Sequence, residues 1–99
     1  MLKITAFLAF SLLSSIACAN EPKDTVAAFH AAMASGDVAE ISALLAPDVT
    51  IYESGYVERS RAEYASHHLP QDIAFSKLAT RRVLQQSEKR DGNLAVIWE

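Results

Sequence analysis

An α+β fold is predicted for this chain on three observations. Helical periodicity fills the segment from about residue 23 to residue 45, apolar alternation of period two takes over at Val49, and the segment from Thr80 to Glu99 reads as an antiparallel hairpin.

The first helix starts at about Lys23 or Asp24 and runs to Ser35, because Val26, Phe29, His30 and Met33 recur at i, i+3, i+4 and i+7. Gly36 ends it as a left-handed C-cap. Asp37 then caps a second helix, its carboxylate accepting the N–H of Glu40 in a capping box, with Val38, Ile41, Leu44 and Leu45 as the buried stripe. Pro47 disfavours helical geometry at Ala46 and stops the run, so residues 49–53 form a strand. Successive strand residues point to opposite faces, which places Glu53 on the face of Val49 and Ile51. A carboxylate in register with apolar side chains suggests a pocket.

Ser54-Gly55 is a turn, after which residues 56–58 return as a short strand. Ser60 and Glu63 cap a third helix that is expected to reach Leu69, where Pro70 interrupts it, and residues 73–75 add a further helical turn. A hairpin around Asp91-Gly92 sets Gln85 opposite Trp98 and Ser87 opposite Val96, on a face shared with Val83 and Leu94 that is expected to be the buried one. There is no internal repeat, low-complexity tract or linker, so residues 20–99 read as one domain.

The N-terminus reads as an export signal. Met1-Leu2-Lys3 is a short basic start, residues 4–13 are apolar, and Ala17-Cys18-Ala19 is a small-x-small cleavage site. The apolar run falls short of the roughly 20 residues that span a bilayer, so no membrane span is expected. A bacterial periplasmic or secreted location follows. Ser15-Ile16-Ala17-Cys18 offers the alternative of a lipobox, which would leave a lipoprotein anchored at Cys18. Cleavage after Ala19 removes the chain's one cysteine, so the core must hold by packing without disulfides. It also leaves eight basic residues against twelve acidic ones and a net charge of −4. Nucleic acid is an unsuitable partner for that balance, since Arg59, Arg61, Arg81 and Arg82 are interleaved with acids and form no basic stripe. The last strand still carries apolar Val96, Ile97 and Trp98 at Glu99, which suggests incompleteness at the C-terminus and an edge open to a second copy.

Helix, Ser35-Gly36-Asp37, helix, Ala46-Pro47-Asp48 and then Val49-Thr50-Ile51-Tyr52-Glu53 resembles the opening of the nuclear transport factor 2-like superfamily, in its SnoaL-like branch. The resemblance extends from about Val26 to Glu99. It implies a cone-shaped curved antiparallel sheet packed on N-terminal helices around an apolar pocket, here lacking the last strands. It implies little about activity, because such folds serve isomerases, dehydratases, cyclases and epoxide hydrolases as well as proteins that only bind or assemble. The general-base aspartate of the isomerase-like relatives falls on Glu53, and their oxyanion-donating tyrosine on Phe29, which has no donor.

Glu53 and His68 are the candidate catalytic residues. A carboxylate in an apolar cone has a raised pKa suited to proton transfer, and His68 lies with Tyr64, Ala65 and Leu69 on the apolar side of its helix. Phe29, His30 and Met33 on the first helix, Ile51 and Tyr56 on the strands, Tyr64 and Trp98 are the candidate ligand-binding residues. His67 and His68, read as neighbours on one helix, point about 100° apart and make no ligand pair. With neither cysteines nor a His-x-x-x-His spacing, no metal and no cofactor are expected. The leading functional expectation is an exported domain that binds a small apolar molecule without a complete catalytic set. The alternatives are a general acid-base enzyme of isomerase, dehydratase or cyclase type using Glu53, and an assembly module that forms a homodimer through the sheet.

Overall fold

Pro22 and Gly36 bracket the first helix, and the reason lies in the backbone each permits. The structure, a computed structural model, describes residues 21–99. The export signal, its cleavage after Ala19 and the alternative anchor at Cys18 lie outside the described residues. Helix α1 (Pro22–Ser35) takes a proline in its first turn, where the missing N–H has no intrahelical partner to lose. At its other end Gly36 adopts φ 72°, and the N–H of Asp37 reaches back to the carbonyl of Ala32 at 2.9 Å. Helix α2 (Val38–Leu44) follows at once, its first turn capped by Asp37 Oδ1, which accepts the N–H of Glu40 at 3.1 Å.

Strands β1 (Ile51–Glu53) and β2 (Tyr56–Glu58) form a hairpin in which Ile51 faces Glu58 and Glu53 faces Tyr56. Its Ser54-Gly55 turn has positive φ at both residues, 48° and 86°, the conformation whose twist matches that of paired strands. Ile51, Glu53, Tyr56 and Glu58 therefore share one face, and Tyr52 and Val57 the other. Tyr52 is 77% exposed whereas Glu58 is 1% exposed, so the first of these faces meets the helices.

Helix α3 (Arg61–Ser66) is capped by Ser60, whose Oγ accepts the N–H of Glu63 at 3.0 Å, while Glu63 Oε2 accepts the N–H of Arg59 at 2.7 Å. The helix ends at Ser66, three residues before the expected end at Leu69. Helix α4 (Leu69–Leu78) then begins with Pro70 in its first turn. Proline is tolerated at a helix start and disruptive inside one, so the chain breaks ahead of Pro70 and restarts, and the single turn expected around residues 73–75 becomes a full helix. His67 and His68 occupy the junction.

The terminal hairpin, β3 (Ser87–Asp91) and β4 (Leu94–Trp98), pairs Ser87 with Trp98 and Lys89 with Val96. That register is two residues away from the expected one because the turn sits at Gly92-Asn93, with Gly92 at φ 55°. The face of Leu94, Val96 and Trp98, expected to be buried, is 74%, 54% and 48% exposed. Ile97, on the opposite face, is the half-buried residue of the strand, and β4 lies against α1.

The core is made by Ala32, Met33, Ile41, Tyr64 and Leu69, with Phe29, Leu45, Ile51, Ala65 and Ile73 packed around them. Burying a side chain such as Ile41, which is 0% exposed, contributes about 1.5 to 3 kcal/mol. The fold is thus α+β, helices followed by short antiparallel pairs, the two hairpins forming separate two-stranded sheets. Arg61 adds a polar clamp. Its Nη1 donates to the carbonyls of Ser42 and Leu45, both at 3.1 Å, satisfying the open C-terminal end of α2 from the start of α3.

Candidate functional site

The inward face of the first hairpin brings two carboxylates, Glu53 and Glu58, against the α3/α4 junction. Glu53 is half-buried, and desolvation raises its pKa. The neighbouring carboxyl of Asp72 raises it further, both by hydrogen bonding and by like charge. Asp72 comes from the first turn of α4, where its Oδ2 accepts a 2.5 Å hydrogen bond from the hydroxyl of Tyr64. Tyr64 is 3% exposed, and burial followed by this bond to Asp72 pushes its phenol well above the ordinary tyrosine range. Burial and like charge both disfavour the ionised form of Glu53. The cluster therefore sets the desolvated carboxyl of Glu53 near Asp72 and the phenol that bonds it.

Glu58 anchors the other half. Its Oε1 meets Nδ1 of His67 at 3.1 Å and Nδ1 of His68 in closer contact. Burial alone would raise the Glu58 carboxyl, but hydrogen bonds from His68 and His67 outweigh it and hold the pKa below the ordinary value. The bond to Glu58 raises the pKa of His68 in return, against its own desolvation. The ring of Tyr56, 58% exposed, stands edge-on to both imidazoles, with centroids 5.9 Å from His67 and 5.0 Å from His68. The two histidines converge because they straddle a helix break, which corrects the expectation that they diverge on one continuous helix.

The residues singled out from sequence fall in several places. Glu53, His68, Tyr56 and Tyr64 belong to this cluster, and Ile51 lies beside it, opposite Glu58. Met33, 8% exposed, is part of the core. Phe29 packs on that core and borders a hollow of about 190 Å³ with Val26, Leu44 and Leu45. His30 lines a separate groove of about 430 Å³ with Ala34, Phe75 and Arg81, and burial followed by the charge of Arg81 lowers its pKa. Trp98 lies on the outer face of the terminal hairpin beneath Lys89 Nζ, 5.9 Å from the ring centre. Sequence reasoning missed Glu58 and Asp72. A two-residue Ser54-Gly55 turn already implies that Glu58 pairs with Ile51 and faces inward. Asp72 lies one position before Ile73 and three after Leu69, on the packed side of a helix that the sequence reading cut short.

No family model matches the sequence, and no curated protein matches it either. Among solved structures, the chain is similar to a protein from Shewanella frigidimarina NCIMB 400 described as a "putative ketosteroid isomerase". The two are 42% identical with a TM-score of 0.53, over 67% of this chain and 50% of the other, so this chain spans about half of that protein's length. The order of elements, the helix and hairpin pattern that positions Glu53, and this likeness agree: the chain belongs to the nuclear transport factor 2-like superfamily.

Proposed function

We propose that this domain binds a small, largely apolar carbonyl compound and moves a proton on the carbon next to the carbonyl, with Glu53 as the base. The observation that carries this reading is the half-buried place of Glu53 on the inward face of the first hairpin, where burial first and then Asp72 raise its pKa. Abstraction of such a proton needs a base whose pKa lies close to the working pH and a donor for the oxygen that becomes negative. Desolvation and the charge of Asp72 move Glu53 toward the first need. His68, whose pKa is raised by its bond to Glu58, is the group of the cluster suited to the second, which the Phe29 position leaves open. The similarity to a protein described as a ketosteroid isomerase supports a steroid-sized ketone as the first substrate class to examine.

A β,γ-unsaturated ketone incubated with the chain tests the reading through the ultraviolet absorbance of the conjugated product. Turnover that falls at least about 100-fold in Glu53→Gln is expected, since acid-base groups contribute about 100- to 10,000-fold. Turnover unaffected by that substitution contradicts the assignment. Binding without turnover is the second reading, favoured by the groove of about 430 Å³ beside His30, which lies apart from Glu53. Thermal stabilisation by the ketone that is lost in His30→Ala and kept in Glu53→Gln would select it. Export rests on the signal-like pattern of residues 1–19 and pairing of two copies on the exposed face of the terminal hairpin, and both belong to the proposal. No helix among the described residues is long and apolar enough to cross a membrane.

A further inference from the structure

We propose that Glu58, His67 and His68 form a binding site for a divalent transition cation of the zinc class. One ligand atom from each residue, a carboxylate oxygen and two imidazole nitrogens, lies within 4.8 Å of the others. Ligand atoms about 2 Å from a tetrahedral ion stand about 3.3 Å from one another, and His67 Nδ1 lies 3.1 Å from Glu58 Oε1. The His67–Glu58 pair therefore already stands near the spacing that an ion imposes, and the closer His68–Glu58 contact opens to that spacing when an ion enters.

Three features favour a cation over a simple hydrogen-bonded trio. Both Nδ1 atoms gather around the same oxygen of a residue that is 1% exposed, so three atoms able to ligate a cation already stand together. The second oxygen, Glu58 Oε2, is buried without a partner, so the residue keeps an unused donor atom inside the fold. Glu53 and Asp72 act on His68 by charge, which adds negative potential near the site. Two nitrogens and one carboxylate suit zinc and its neighbours in the first transition row better than magnesium or calcium, which prefer all-oxygen shells. The His67 side chain is 56% exposed, so the remaining coordination position opens to solvent and can hold water or a small anion.

Zinc titrated into the untagged full-length chain tests this, with Cys18→Ser as the background so that the thiol cannot contribute. A chromophoric chelator reports stoichiometry and affinity, and cobalt(II) in place of zinc reports geometry by its visible absorption. One ion per chain is expected, with intense tetrahedral cobalt bands, a higher Tm with zinc, and weaker binding at pH 5 than at pH 7 because the imidazoles must release their protons. Affinity should fall about 100-fold or more in His67→Ala and in Glu58→Gln, at least the loss seen when only an outer partner of a ligand is removed. The exposed position of His67 lets that variant keep its fold, which far-UV circular dichroism checks. Absence of saturable binding, or binding that survives His67→Ala unchanged, overturns the proposal.

Discussion

Tyr64 and Asp72 are joined by a 2.5 Å hydrogen bond that links the end of one helix segment to the start of the next across the His67-His68 junction. The bond ties a buried core residue to the carboxyl that raises the pKa of Glu53, so packing and acid-base chemistry meet at one side chain.

Tyr64→Phe removes that bond and leaves the ring packing in place. Hydrogen bonds to charged groups are worth about 1.5 to 3 kcal/mol, so the variant should unfold at lower urea with a loss in that range. An unchanged midpoint in urea denaturation followed by circular dichroism would contradict the assigned bond.

Glu58 and His68 give the fold a defined pH window. The carboxyl is held below its ordinary 4.5, so its contribution is present above 4.5 and disappears as pH falls through the folded-state value. The imidazole is held above its ordinary 6.5, so its contribution is complete below 6.5 and disappears as pH rises through the folded-state value. The pair is therefore most stabilising between those two ordinary values. Glu53 acts in the opposite direction to Glu58, since its raised pKa makes the fold lose stability as pH climbs above 4.5. The difference in urea midpoint between wild type and Glu58→Gln isolates the pair, and it should be greatest between pH 4.5 and 6.5 and shrink on both sides.

Arg61 is a structural cation in a chain whose other arginines mostly serve the surface. Arg61→Met keeps much of the stem and removes both bonds to the carbonyls of Ser42 and Leu45, at an expected cost of about 1.5 to 3 kcal/mol. Amide hydrogen exchange should speed up most in α2, whose last turn loses its partners.

Much of this was legible in the residues. Gly36, Asp37 and Ser60 announce their caps because cap chemistry is local, and the alternation of Ile51, Tyr52 and Glu53 reveals which way the carboxylate turns. Pro70 misleads because proline both interrupts a helix and opens one, and only packing of Leu69 and Ile73 into the core decides between these. The convergence of His67 and His68 on Glu58 follows from that decision, so it could not be read while the helix was taken as continuous. The terminal hairpin slipped because Asp91-Gly92 and Gly92-Asn93 are both acceptable turns, and its strand β3 is exposed throughout, so burial supplies no preference for either.

The central claim, that Glu53 is a desolvated carboxyl whose pKa is raised by burial and by Asp72, is tested most directly by titrating the Glu53 side-chain carboxyl carbon by NMR in the wild type and in Asp72→Asn. The predicted result is a wild-type pKa above 4.5 that moves down when the neighbouring acid is removed. A wild-type value at or below 4.5, or one indifferent to Asp72→Asn, would contradict it.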